Sequence, residues 1–172
     1  MTPIRIVVPT GALVVLIGPS GSGKTTFATR HFPRTHVLSS DEMRAIVADD
    51  PNDQSATEAA FELLHTALGL RLAARRTTVV DATNVERWAR GRLLAIARRA
   101  SRPALAIVLD LPLDLCLERN TRRPDPRPAP AIRRQQRWMQ GALATLEEEG
   151  FQPAWWLRTP DEVDAVEVVA GG

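Results

Sequence analysis

A chain of 172 residues is the size of one domain with a full hydrophobic core. Its 44% hydrophobic and 24% charged content is ordinary for a soluble globular protein, and its net charge of +2 points to no special partner. One cysteine, Cys116, excludes an internal disulfide and a cysteine-built metal site; the lack of a membrane-length apolar run and of a signal-peptide core in MTPIRIVVPTG makes the cytoplasm the expected location.

In chain order, IRIVV (4–8) reads as an added edge strand and ALVVLIG (12–18) as a strand buried on both faces. The run GPSGSGKT (18–25) follows and opens a helix, KTTFATRHF. Further strands are expected at HVLS (36–39), TTVVD (77–81), ALAIVLD (104–110) and AWWL (154–157). Helical spacing connects them. It carries Ala60, Leu63, Leu64, Ala67 and Leu68 within 56–75, and Ala89, Leu93, Ile96, Ala97 and Ala100 within 86–100. A third pattern, 131–149, carries Ile132, Met139, Leu143 and Leu146. Alternating strands and helices predict an α/β fold: a parallel sheet of about five strands with helices on both faces. Between the last two helical patterns, RRPDPRPAPA (122–131) places prolines at 124, 126, 128 and 130 among arginines. That run predicts stiff, extended, non-helical backbone, and a connection of this kind is a candidate lid.

Charge is unevenly spread. Residues 119–137 hold seven arginines against Asp125, and 147–170 hold seven acids against Arg158. A basic patch suits a phosphate-bearing ligand, although a solvated helix face also collects arginine. Among the 22 basic residues, Lys24 is the one lysine.

Lys24 falls in GPSGSGKT, which fits the phosphate-binding loop pattern G-x-x-x-x-G-K-[ST] in full, after a strand and before a helix. Gly18, Gly21 and Gly23 permit the tight path, and Ser20, Ser22, Lys24, Thr25 and Thr26 complete the loop and helix start whose N–H groups would face phosphate. Lys24 would reach the β- and γ-phosphates of a bound nucleoside triphosphate such as ATP, and the Thr25 hydroxyl would ligate Mg²⁺. The absence of any other lysine excludes a guanine-reading N-K-x-D, and the length suits a small P-loop kinase.

Downstream, VLSSDEMR (37–44) has two readings. In one, Asp41 caps a helix starting at Glu42, with Arg44 on the same face one turn along. In the other, Asp41 orients an acceptor hydroxyl and takes its proton, and Arg44 holds the acceptor; the strand end places both near the nucleotide. Arg119 and Arg123, four apart in CLERNTRR, would grip phosphate from one helix face while Arg122 points elsewhere, or they are a basic helix end favoured by the dipole. Asp81, ahead of the polar DATN, is preferred to Asp110 as the acid near Mg²⁺, acting through water. Gln54 in DDPNDQ is an acceptor-side candidate or a plain turn residue, and Trp155 and Trp156, which could stack bases, read as core from their strand pattern. His31, His36 and His65 show no metal spacing.

The segments LVVLIGPSGSGKTTFA, SSDEMR, DDPNDQ, VVDATN and CLERNTRR occur in an order and spacing that resembles the bacterial polynucleotide 5′-kinase module. That module is the N-terminal part of the bacterial polynucleotide kinase-phosphatase RNA-repair enzymes, and the resemblance runs from about Leu13 to about Leu157. It implies transfer of the ATP γ-phosphate to the 5′-OH end of RNA or DNA, with Mg²⁺. It also implies roles for Asp41 as general base, for Arg44 as clamp on the acceptor or transferring phosphate, and for Arg119 and Arg123 as lid arginines on ATP. Gln54 falls in a loop similar to one on the acceptor side. The implied layout is a single P-loop kinase domain over 1–172 with an Arg/Pro-rich lid at about 116–137. It would stand alone or work beside phosphatase and ligase modules, with no membrane partner. Two features depart from the family: the stiff proline run after Arg123, which leaves Arg127 without an assigned role, and the ending VVAGG, which resembles the start of a Gly-Gly linker. The alternative function is a small-molecule kinase acting on a sugar, nucleoside or antibiotic.

Overall fold

The strand Leu13–Ile17 (β2) is the centre of the molecule, and all five of its side chains are buried. Alternation along the strand sends Leu13, Val15 and Ile17 into one hydrophobic core and Val14 and Leu16 into another. Both faces are covered, so the strand reads as a continuous apolar run. The computed structural model describes residues 2–142 and 144–172. Leu143, expected on a helical face, lies outside the described residues.

Five parallel strands form the main sheet in the order β3 (Val37–Ser39), β4 (Thr78–Asp81), β2, β5 (Ala104–Leu109), β6 (Ala154–Leu157). On one face pack α3 (Thr57–Ala73) and α4 (Arg87–Arg99); α3 buries Ala60, Leu64, Leu68 and Leu72, a stripe at i, i+4 spacing. The other face is covered by α1 (Lys24–His31), through Phe27 and Ala28, and by a second sheet.

That second sheet corrects one expectation. IRIVV does not extend the main sheet. Strand β1 (Arg5–Pro9) pairs in parallel with β7 (Glu167–Gly171), and Ile6 and Val8 are buried in the second core. Gly171, read as the start of a linker, is instead paired opposite Pro9. A short helix, α8 (Pro160–Ala165), leads into β7, with Thr159 as its N-cap and Pro160 in its first turn.

The pattern over 131–149 is divided between α6 (Ala129–Ala142) and the single turn α7 (Leu146–Glu149). The proline run is non-helical only up to Pro128. Pro130 sits in the first turn of α6, where its missing N–H has no intrahelical partner to lose. The remaining helices are α2 (Ser40–Ala48) and α5 (Leu113–Thr121). Among the described residues no helix is long and apolar enough to cross a membrane.

A buried polar chain joins these layers behind the phosphate-binding loop. Arg90 on α4 donates to Glu149 on α7 through Nε (2.9 Å) and Nη2 (2.8 Å), and Nη1 donates to the Asn84 carbonyl at 3.1 Å. Asn84 Nδ2 in turn donates to the Leu16 carbonyl at 2.8 Å. Burial alone would raise the Glu149 carboxyl, but hydrogen bonds from Arg90 and Thr145 carry it below the ordinary range. The stability it confers is therefore present above that range and lost as pH falls through the depressed value. Arg90→Ala leaves Glu149 buried and unpaired, and is expected to destabilise the fold by about 3–5 kcal/mol in urea unfolding. A loss under about 1 kcal/mol would mean that water replaces the guanidinium.

Candidate active site

Register decides what meets at the carboxyl edge of the sheet. Ser39 lies opposite Asp81 across β3 and β4, and Val15 opposite Val80 across β4 and β2. The segments that leave these strands therefore converge: Gly18–Thr25 after β2, Ser40 and Asp41 after β3, and DATN after β4. The Gly18 N–H donates to the Thr83 carbonyl at 3.0 Å, which ties the first to the third.

The phosphate-binding loop has the strained dihedrals that its glycines allow, with φ of +85° at Gly21 and +91° at Gly23. Helix α5 presses directly onto it: a Cβ at Gly21 would lie 2.2 Å from the Cys116 carbonyl oxygen. Gly21→Ala therefore has to move either the loop or α5, and the expected result is an ATP complex weakened about tenfold or more in calorimetric titration. Wild-type affinity would show that the loop reshapes without disturbing the site.

Lys24 is buried, and its Nζ donates to the Pro19 carbonyl at 3.0 Å. Burial pulls its ammonium below the ordinary lysine value, and the Asp81 carboxylate opposes that shift. The Thr25 hydroxyl donates to Asp81 Oδ2 at 2.7 Å, and burial holds the Asp81 carboxyl above the ordinary range. Asp110 lies elsewhere, accepting from Gln140 at 2.8 Å and 3.8 Å from Arg158. Of the two strand-end acids, only Asp81 borders the loop. Ser20, Gly21, Gly23, Thr25 and Thr26 line a cavity of about 1240 Å³, whereas Gly18 and the fully buried Ser22 support the loop from behind.

The reading of VLSSDEMR changes at one position. Ser39, not Asp41, is the N-cap of α2, and its Oγ accepts from the Glu42 N–H at 3.3 Å. Helix starts at Ser40, so Asp41 is in the first turn and its carboxylate is released from capping. It lines the cavity and accepts from Arg44 Nη1 at 2.8 Å and Arg127 Nη2 at 3.3 Å, with Arg123 Nη2 at 3.9 Å. Arg44 is buried and also donates from Nε to the Thr57 hydroxyl at 3.3 Å.

Arg119 and Arg123 both line the cavity, and Arg119 Nη1 donates to the Ser22 carbonyl at 3.5 Å. Arg122 points away to Glu118 on the exposed face. Gln54 lines the cavity together with Thr57 and is exposed. Three residues enter to which the sequence pattern assigned no role. Arg127 reaches Asp41, and the buried Asn120 fixes its backbone by accepting from its N–H at 2.9 Å and donating to its carbonyl at 2.8 Å. Gln135 on α6 accepts from the Ser20 N–H at 2.9 Å and ties that helix to the loop. The RN pair in CLERNTRR carried a signal for Asn120; nothing local marks Gln135.

The AAA domain family model matches residues 13–146, from the central strand through the phosphate-binding loop to the start of α7. The chain belongs to the AAA domain family. No curated protein matches its sequence. Among solved structures, this AAA domain is similar to a gluconokinase from Sinorhizobium meliloti, at 17% identity and a TM-score of 0.56, covering 91% of this chain and 87% of that one. It is similar to the Mycobacterium tuberculosis APS kinase CysC in complex with AMPPNP and APS, at 18% identity and 0.57, covering 91% and 93%. It is also similar to a chain of the Pnkp1/Rnl/Hen1 RNA repair complex, at 21% identity and 0.64, where it covers 85% of this chain and 47% of that one. The likeness is one of fold: the AAA domain has the five-strand parallel sheet, flanked by helices, of P-loop kinases.

Proposed function

We propose that this AAA domain is an ATP-dependent polynucleotide 5′-hydroxyl kinase. The observation that carries the reading is one cavity in which Lys24, Thr25, Asp81, Asp41 and the arginines 44, 119, 123 and 127 all face inward. Phosphoryl transfer asks for positioned charge around the transferring group more than for covalent chemistry, and these residues supply it. Lys24 and the loop N–H groups hold the donor phosphates. Arg119, Arg123 and Arg127 offset the charge spread over the transferring oxygens. Asp41, kept in place by Arg44, accepts the proton of the acceptor hydroxyl as the oxygen attacks.

Thr25 and Asp81 offer hard oxygen ligands 2.7 Å apart, which fits Mg²⁺, an ion that keeps several waters and takes few protein ligands. When bound, Mg²⁺ would neutralise charge on the β- and γ-phosphate oxygens. The cavity of about 1240 Å³ has room for a donor nucleotide and an acceptor together, and Arg92 and Arg134 on its lining suit an acceptor that carries phosphates. Partner phosphatase and ligase modules belong to the same reading, and the RNA-repair neighbour, of which the chain spans about half, supports it.

The test is transfer of labelled γ-phosphate from ATP to 5′-OH RNA and DNA oligonucleotides. Transfer that a 5′-phosphate blocks supports the proposal. A second reading, a small-alcohol kinase, is favoured by the near full-length overlap with the gluconokinase and the APS kinase. Robust transfer to small alcohols with none to oligonucleotides would establish it instead.

A further inference from the structure

Six large apolar side chains are exposed among the described residues, and two of them are tryptophans that border the active-site region. Trp88, in the first turn of α4, is 63% exposed and lines the cavity. Its indole N–H is already engaged by the Glu86 carboxylate, so what meets solvent is mostly ring. Trp138, on α6, is 44% exposed, with the Arg134 guanidinium 5.3 Å from its ring centroid, and Arg134 also lines the cavity. Trp138 borders a depression of about 390 Å³ that shares Val85 and Glu86 with the main cavity, so the two hollows adjoin at that loop.

The helices that carry these rings have one sign of charge. The sequences of α4 (RWARGRLLAIARR) and α6 (APAIRRQQRWMQGA) contain arginine and no acidic residue. Indole rings interleaved with guanidinium groups on a basic surface match single-stranded nucleic acid: bases stack on the rings, and arginines meet the phosphates between them.

We infer that Trp88 and Trp138, with Arg134, form a base-stacking rim that engages nucleotides beyond the reacting 5′-terminal one, and so selects single-stranded ends with several nucleotides. This rests on the polynucleotide reading and adds the residues that set acceptor length. A stacked base supports about 5- to 150-fold in affinity, so each ring should weigh measurably on acceptor choice.

The experiment compares kcat/KM for a 5′-OH ten-nucleotide single strand with that for a nucleoside 3′-monophosphate, in the wild type, Trp88→Ala, Trp138→Ala and the matching Trp→Phe variants. The ratio of the two acceptors should fall about 5-fold or more in each alanine variant and recover in each phenylalanine variant. A ratio that stays at the wild-type value in both alanine variants overturns the rim, as does a ratio that phenylalanine does not restore. If the alanine variants keep the ratio but change oligomeric state, the rings belong to a protein interface. Failure of the wild type on every oligonucleotide would sink the polynucleotide reading itself, a result distinct from an unchanged ratio in a working kinase.

Discussion

Asp41→Asn is expected to lower phosphoryl transfer by about 10²–10⁴-fold while ATP still binds. The substitution keeps the shape of the side chain and an oxygen that can accept from Arg44 Nη1, now 2.8 Å away. It removes the negative charge and the ability to take a proton. Asp41 also faces Arg123 and Arg127, so the loss of its charge frees both arginines for the donor phosphates. ATP affinity should therefore be unchanged or higher. Binding by titration and transfer by label separate the two effects. Retained transfer would reduce Asp41 to an anchor for Arg44, and lost ATP binding would make its task structural.

The second large effect is at Lys24. Lys24→Met keeps the buried stem and removes the charge, and should lower kcat/KM by about 10²–10³-fold. Stability should move the other way, because the ammonium is buried at a cost that its neighbours only partly offset. The pH dependence gives a clean signature. With the folded-state value lowered, the unfolded chain binds more protons than the folded one between the lowered value and the ordinary lysine value. Wild-type stability therefore rises with pH across that window relative to Lys24→Met. The chain has no other lysine and no tyrosine, but the buried Cys116 thiol, pushed up by burial and pulled down by Lys24, is coupled to this group, so both proteins are compared in a Cys116→Ser background. Matching pH profiles would mean that Lys24 is no more buried in solution than an ordinary lysine.

Much of the candidate site was legible because its signals are local. The P-loop is eight consecutive residues that join a strand to a helix, and dihedrals at Gly21 and Gly23 and chemistry at Lys24 and Thr25 call for those residue types. The lone lysine in an arginine-rich chain pointed to the same place. The preference for Asp81 over Asp110 rested on the polar residues after it, and only Asp81 stands beside Thr25. The errors were also local in origin. Ser39 and Asp41 are both good caps, and the sequence pattern does not say where α2 begins; the strand register, with Ser39 opposite Asp81, does. The T-P-D-E run at 159–162 is a capping signature for α8 that reading by apolar spacing passed over.

By itself, then, the sequence determined the α/β alternation, the phosphate-binding loop and the shortlist of carboxylates and arginines. Each depends on neighbours within a turn or a strand. The tertiary structure alone decided that β1 pairs with β7, that Arg90 meets Glu149 across 59 positions, and that Arg127 meets Asp41 across 86. Such pairings depend on where the sheet order and the α5–α6 connection bring distant segments. An arginine and a carboxylate far apart in sequence carry no periodic signal that would join them.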